Sequence, residues 1–124
     1  MKNARPKNLN LLSIRLPLPA LVSILHRASG FLLFLALPFL LLALQSSLKS
    51  AIQFQHIADL LSQPAAKLML VILGWAAIHH LLAGIRHLLM DMHWAITLPK
   101  ARTSARMVLL SSAILTFLVA RWLW

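Results

Sequence analysis

His80, Gly84 and His87 stand at i, i+4 and i+7, a spacing that puts all three on one face of an α-helix. Gly84 carries no side chain, so between the two imidazoles a flat group can approach the backbone, and the edge of a haem would fit there. Seven residues rise ~10.5 Å, too far for both histidines to bind one iron. The spacing suits one axial nitrogen and one contact to a propionate. The plainer reading is that both imidazoles hydrogen-bond to neighbouring helices. His79 points about a third of a turn away from His80, toward another helix or water.

A second group, Ser23, His26, Arg27 and Gly30, follows at i, i+3, i+4 and i+7 if a helix begins before Ser23. Arg27 can pair with a propionate or with an oxygen of a bound quinone, and Ser23 can donate to a quinone carbonyl. Alternatively Arg27 is an interfacial residue that snorkels to lipid phosphate. Asp91 has a simple role, pairing with Arg27 or Arg86, and a sharper one, orienting an arginine or water that delivers protons to a reduced quinone. His56 and His93 read as surface residues, with Trp94 beside His93 at an interface, and Met69, Met90, Met92 and Met107 as helix contacts before soft ligands.

The elements that must hold these groups are apolar. The chain has 124 residues, 60% apolar and 11% charged, with a mean hydropathy of +0.83. That composition excludes an ordinary soluble domain with a charged shell. Twelve Lys and Arg against two acidic residues give a net charge of +10, yet the basic residues sit between long apolar runs, where they meet anionic headgroups and not a nucleic acid. No Cys is present, which excludes disulfides, Cys-ligated iron–sulfur clusters and covalent haem attachment.

Three runs are long enough to cross a bilayer, at roughly 24–45, 66–90 and 105–124, each near the ~20 residues required. Pro38 should bend the first, and Trp122 and Trp124 end the third as interface anchors. Residues 1–22 carry four basic residues and three prolines, and the pair Pro17 and Pro19 stops one helix from running through them, so they read as an interfacial arm. A cleaved signal peptide fits less well, because the run Phe31–Leu44 starts late and no clean small-x-small site follows it. Lys2, Arg5, Lys7 and Arg15 precede the first span and Lys100, Arg102 and Arg106 flank the start of the third, while the loop from Ser46 to Ala65 holds only Lys49 with Asp59. By the positive-inside rule the N-terminus and the 91–104 loop lie in the cytoplasm and the C-terminus in the periplasm. The expected protein is all-α, an arm at 1–22 followed by a three-helix membrane domain at 23–124.

The strings VSILHRASG at 22–30 and HHLLAGIRHLLMD at 79–91, with RPKNLNLLSIRLPLPA at 5–20, resemble the cytochrome b subunit of succinate dehydrogenase, over most of the chain. The resemblance implies that His80 supplies one axial ligand to haem b and that a partner anchor subunit supplies the other. It places His26, Arg27 and His87 near the haem propionates, Ser23 and Arg27 in a ubiquinone site, and Asp91 in support of that site. His79 stands where related sequences often carry an aromatic residue such as Tyr, which makes it a possible alternative ligand. The chain has no Tyr, so a phenolic quinone donor must come from another subunit. The implied protein is an inner-membrane anchor for a flavoprotein subunit and an iron–sulfur subunit, which hold the FAD and the clusters. This chain itself shows no flavin or nucleotide fingerprint. The rivals are the anchor of a fumarate reductase and a non-redox scaffold whose polar groups only join helices.

Overall fold

The computed structural model describes residues 16–94 and 96–124, so most of the expected arm lies outside the described residues. Four helices follow one another: α1 Leu18–Ser47, α2 Ala51–Ser62, α3 Pro64–Asp91 and α4 Leu98–Leu123. Three of them, α1, α3 and α4, are long and apolar enough to cross a membrane.

Prolines set the starts. Pro17 is the extended N-cap of α1 and Pro19 sits in its first turn, where the missing N–H has no intrahelical partner to lose. The pair therefore begins a helix as well as ending the arm, and residues 18–22, expected in the arm, form the first turn of the span. α1 then continues through Pro38. Pro64 separates α2 from α3 by holding Gln63 extended at φ −66° and ψ 144°. Pro99 opens α4, which begins seven residues before the expected position; Lys100 and Arg102 are exposed on its first turns.

The segment expected as a loop between the first two spans contains α2. Ser50 accepts from the N–H of Gln53 at 3.2 Å, and Gln55 donates to Asp59 one turn on at 2.8 Å. At 12 residues α2 is too short to span, and none of its residues is buried. It packs against α1, with Phe54, Ile57, Ala58 and Leu61 lining the cleft between the two helices.

Small residues let α3 and α4 approach closely. Ala101, Ala105, Val108 and Ser112 form the buried seam of α4, facing Ala76, His79, Ala83 and Arg86 of α3. Val22 of α1 closes the same core with Ala83, Ala105 and Val108. The antiparallel register of α3 and α4 is marked along their whole length by Arg86 on Ser104, His79 beside Ser112, and Lys67 over the ring of Trp124 at 5.5 Å.

α3 ends in a Schellman turn. The N–H of His93 donates to the carbonyl of Met90 at 3.0 Å, and that of Trp94 to Leu89 at 2.9 Å. His93 takes the left-handed position at φ 62°, where glycine is usual and histidine is one of the better-tolerated substitutes.

Candidate functional site

α3 has two working faces, one turned to α4 and one to α1. The face carrying His80, Gly84 and His87 meets α1 at His26, Ser29 and Gly30. The rings of His26 and His80 stack at 4.2 Å and 12°, and the His87 ring lies 5.1 Å from His26 at 51°. Three imidazoles thus converge from two helices, one pair stacked and the third ring tilted against it; among the described residues no group of three or more His or acidic side chains could hold a metal together.

The glycines explain the convergence. A Cβ on Gly30 would lie 2.7 Å from Cε1 of His80, so His80 occupies the space that glycine leaves in α1. Reciprocally, the position of a Cβ on Gly84 is 3.5 Å from Nε2 of His26. The gap read from the sequence as room for a flat group is faced by an imidazole of this chain.

Hydrogen bonding sets the state of His80. Its Nδ1 lies 3.0 Å from the backbone carbonyl oxygen of His26 and 3.4 Å from Oγ of Ser29. A carbonyl oxygen only accepts, so Nδ1 carries a proton, and in the neutral ring it is Nε2 that offers the lone pair. Ser29 is itself buried and donates to the same carbonyl at 2.9 Å. An imidazole donating through one nitrogen to a backbone carbonyl and offering the other is the arrangement that metal-binding histidines adopt.

The second face of α3 takes the remaining polar groups. His79 is 0% exposed, stacked on Trp75 at 5.4 Å, with Nδ1 3.4 Å from Oγ of Ser112. Its Nε2 has no hydrogen-bond partner among the described residues. This places His79 in the α3–α4 seam and not with the stacked imidazoles. Arg86, 5% exposed, donates through Nε to Ser104 at 3.0 Å and through its terminal nitrogen to the carbonyl of Ala101 at 3.3 Å. The expected pairing of Asp91 with Arg86 is therefore replaced by bonds to α4, because Arg86 shares a helix face with Ala83 and His79 and not with Asp91.

Outward from the imidazoles, the antiparallel register brings Ser23 level with His87 and Pro19 level with Asp91. Ser23 is half-buried one turn from His26, while Arg27 and Asp91 are exposed. Asp91 thus sits about two turns, roughly 12 Å along the axis, beyond Arg27, and one turn beyond Ser23. On α1, Ser23 and Arg27 lie within one turn of His26; Asp91 lies one turn further out on α3 than the level of Ser23. The residues that sequence reasoning missed are Ser29 and the role of Gly30. Both sit inside the VSILHRASG string, and Ser29 precedes the glycine that was singled out.

The family model described as succinate dehydrogenase/fumarate reductase transmembrane subunit matches residues 1–119. The chain belongs to that family. Among similar proteins are succinate dehydrogenase cytochrome b556 subunits from Coxiella burnetii, 40% identical over 125 residues and covering all of both chains, and from Rickettsia felis, 30% identical over 94% of this chain and 91% of the relative. The subunit of that name from Paracoccus denitrificans is 29% identical over 92% of this chain and 88% of its own. Membership in this transmembrane subunit family agrees with the three long apolar helices, and makes the chain a membrane anchor of a succinate dehydrogenase or fumarate reductase.

Proposed function

We propose that this chain is the cytochrome b anchor of a succinate dehydrogenase: with a second small anchor subunit it shares a haem b, and with its partners it builds a pocket for ubiquinone. The observation that carries the reading is His80, held by the carbonyl of His26 with Nε2 left as a ligand nitrogen. The donor set fits a haem supplied with one axial ligand by each of two chains, since the described residues offer one oriented imidazole and no three-ligand metal group. Bound haem b supplies a one-electron carrier within the bilayer.

The chain's own residues have separable tasks. Ser29 and the His26 carbonyl fix the tautomer and ring angle of His80, and Gly30 gives the ring its place. His26, stacked on His80, His87, tilted against His26, and the exposed guanidinium of Arg27 would meet the propionates. Ser23 and Arg27, one turn apart, donate to the oxygens of a quinone, and Asp91 at the rim orients the water or arginine that brings protons inward. Electrons come from FAD and iron–sulfur clusters held by the flavoprotein and iron–sulfur subunits. By the charge bias the N-terminus and the α3–α4 connection lie on the cytoplasmic side of a bacterial inner membrane, toward which Ser23, Arg27 and Asp91 stand at successive depths. The curated relatives named above are all succinate dehydrogenase subunits, which favours succinate oxidation over fumarate reduction as the working direction.

Extraction of the native complex in mild detergent tests this directly. A reduced b-type haem spectrum is expected, together with a flavoprotein, an iron–sulfur protein and a second small apolar subunit; a complex lacking haem absorption would favour the scaffold reading. Within the complex, Arg27→Ala and Ser23→Ala should slow ubiquinone reduction, the former by on the order of tenfold for the loss of one charge-assisted hydrogen bond. Succinate oxidation by a soluble artificial acceptor should persist, and equal losses in both assays would contradict a local quinone role.

A further inference from the structure

A cavity of about 560 Å³ opens where α3 ends and α4 begins, on the side of the bundle away from the stacked imidazoles, lined by His93, Trp94, Pro99, Lys100, Thr103, Ser104 and Met107. A second, of about 220 Å³, runs between the same two helices past Leu82, Ile85, Arg86, Leu89, Met90 and Val108. Ser104 and Met107 line both, so the two are consecutive parts of one groove. Its mouth carries the cation Lys100, the imidazole of His93 and the indole of Trp94, and its depth is apolar apart from Arg86, which is already bonded to Ser104 and Ala101.

Polarity and depth point to one kind of occupant. The mouth lies at the ends of two membrane-spanning helices, at headgroup level, where an exposed Trp is at home. Among the described residues no side chain caps the first turn of α4, and no acidic residue lies in that turn, so its backbone N–H groups add to the positive field of Lys100, with Arg102 and Arg106 following on the same helix. The Schellman turn brings His93, held at φ 62°, and Trp94 to the same cavity wall. A positive, polar mouth that continues inward as an apolar furrow along the helix axis matches a phosphodiester followed by an acyl chain. It does not match a free anion, for which the furrow has no use.

We propose that this groove binds one anionic diacyl phospholipid, its phosphodiester at Lys100 and His93 beside the start of α4 and one acyl chain along Met107 into the furrow between α3 and α4. The site depends on the membrane spans and not on the haem and quinone assignments. His93 holds a left-handed position that a glycine would fill without strain, and in return presents a ring at the headgroup.

The test uses the native complex in phosphatidylcholine nanodiscs doped with phosphatidylglycerol bearing a photoactivatable diazirine in its acyl chain, compared with phosphatidylcholine bearing the same group. Labelling by the phosphatidylglycerol probe is expected to concentrate at residues 82–90 and 104–108. It should exceed that by the neutral probe by about fivefold, the worth of one lysine at a membrane surface. Lys100→Gln, an exposed position, should remove most of that preference, and Met107→Trp should fill the furrow and lower labelling by both probes, with haem absorption unchanged in each. Label spread evenly over α1, α3 and α4, equal labelling by the two probes, or indifference to both substitutions would overturn the proposal. So would displacement of the phosphatidylglycerol label by millimolar inorganic phosphate, or cross-linking of the groove to a neighbouring subunit in place of lipid.

Discussion

Replacing His80 by Ala is expected to abolish the low-spin haem spectrum of the complex, the largest single effect available in this chain. Loss of an outer-shell partner of a metal ligand already costs ~10–100-fold in affinity, and the loss of the ligand itself must exceed that. The alternative ligand, His79, cannot stand in. It is fully buried in the α3–α4 seam, a third of a turn from His80, with its Nδ1 at Ser112 and its ring on Trp75. His79→Phe is accordingly expected to leave the spectrum intact while costing about 1 kcal/mol in the stability of the helix pair, the scale of one interhelical hydrogen bond in a membrane. The measurement is the reduced-minus-oxidised spectrum of His80→Ala and His79→Phe complexes, with free imidazole added to the first. Restored absorption on adding imidazole would locate the defect at the missing ring and not in the fold. An unchanged spectrum in His80→Ala, or one lost in His79→Phe, would remove the assignment of the ligand.

The three spans were legible because lipid imposes long apolar runs, and those runs are visible without knowing what packs on them. Their ends were less so. Lys100 and Arg102 made the start of α4 look like loop, yet an interfacial turn can stay helical while its charges reach water. The helix α2 was hidden in a polar connection although its Ser50 cap was in plain view, since a 12-residue surface helix carries no long apolar run. The stripe of His80, Gly84 and His87 could be read from one helix alone, because periodicity fixes which residues share a face. What faces it could not, because the register between α1 and α3 is a tertiary property. So the sequence left open whether His79 belonged with the haem, whether Arg86 met Asp91, and what the glycines made room for. In the fold, His79 and Arg86 both turn to α4, Gly30 makes room for the His80 ring, and Gly84 faces the imidazole of His26 at contact distance.

That last pairing gives the sharpest test of the architecture, because two chemically identical substitutions should behave oppositely. Within a helix, Gly→Ala is favourable by ~0.5–1 kcal/mol where space allows. At Gly84 it does allow: the new Cβ would sit 3.5 Å from Nε2 of His26, an ordinary contact, so Gly84→Ala should leave haem content unchanged and raise stability by about that amount. At Gly30 the Cβ would come 2.7 Å from Cε1 and 3.1 Å from Nδ1 of His80. The ring cannot swing aside freely, since Nδ1 is tied to the His26 carbonyl at 3.0 Å and His26 itself is stacked against its face at 4.2 Å. Relief must come from moving α1 away from α3 or from breaking the Nδ1 bond. The first is an overpacking cost of ~1–3 kcal/mol. The second frees the tautomer and angle of His80, and haem affinity should fall by ~10–100-fold as for any lost outer-shell partner. Haem per complex and thermal unfolding of the two variants, measured side by side, separate these outcomes: Gly30→Ala should lose haem at concentrations where Gly84→Ala remains saturated. Equal haem retention in both would mean that His80 does not depend on the cleft opened by Gly30. Equal loss in both would mean that the glycines serve a closer helix approach in general, and that the seat of the ligand lies elsewhere.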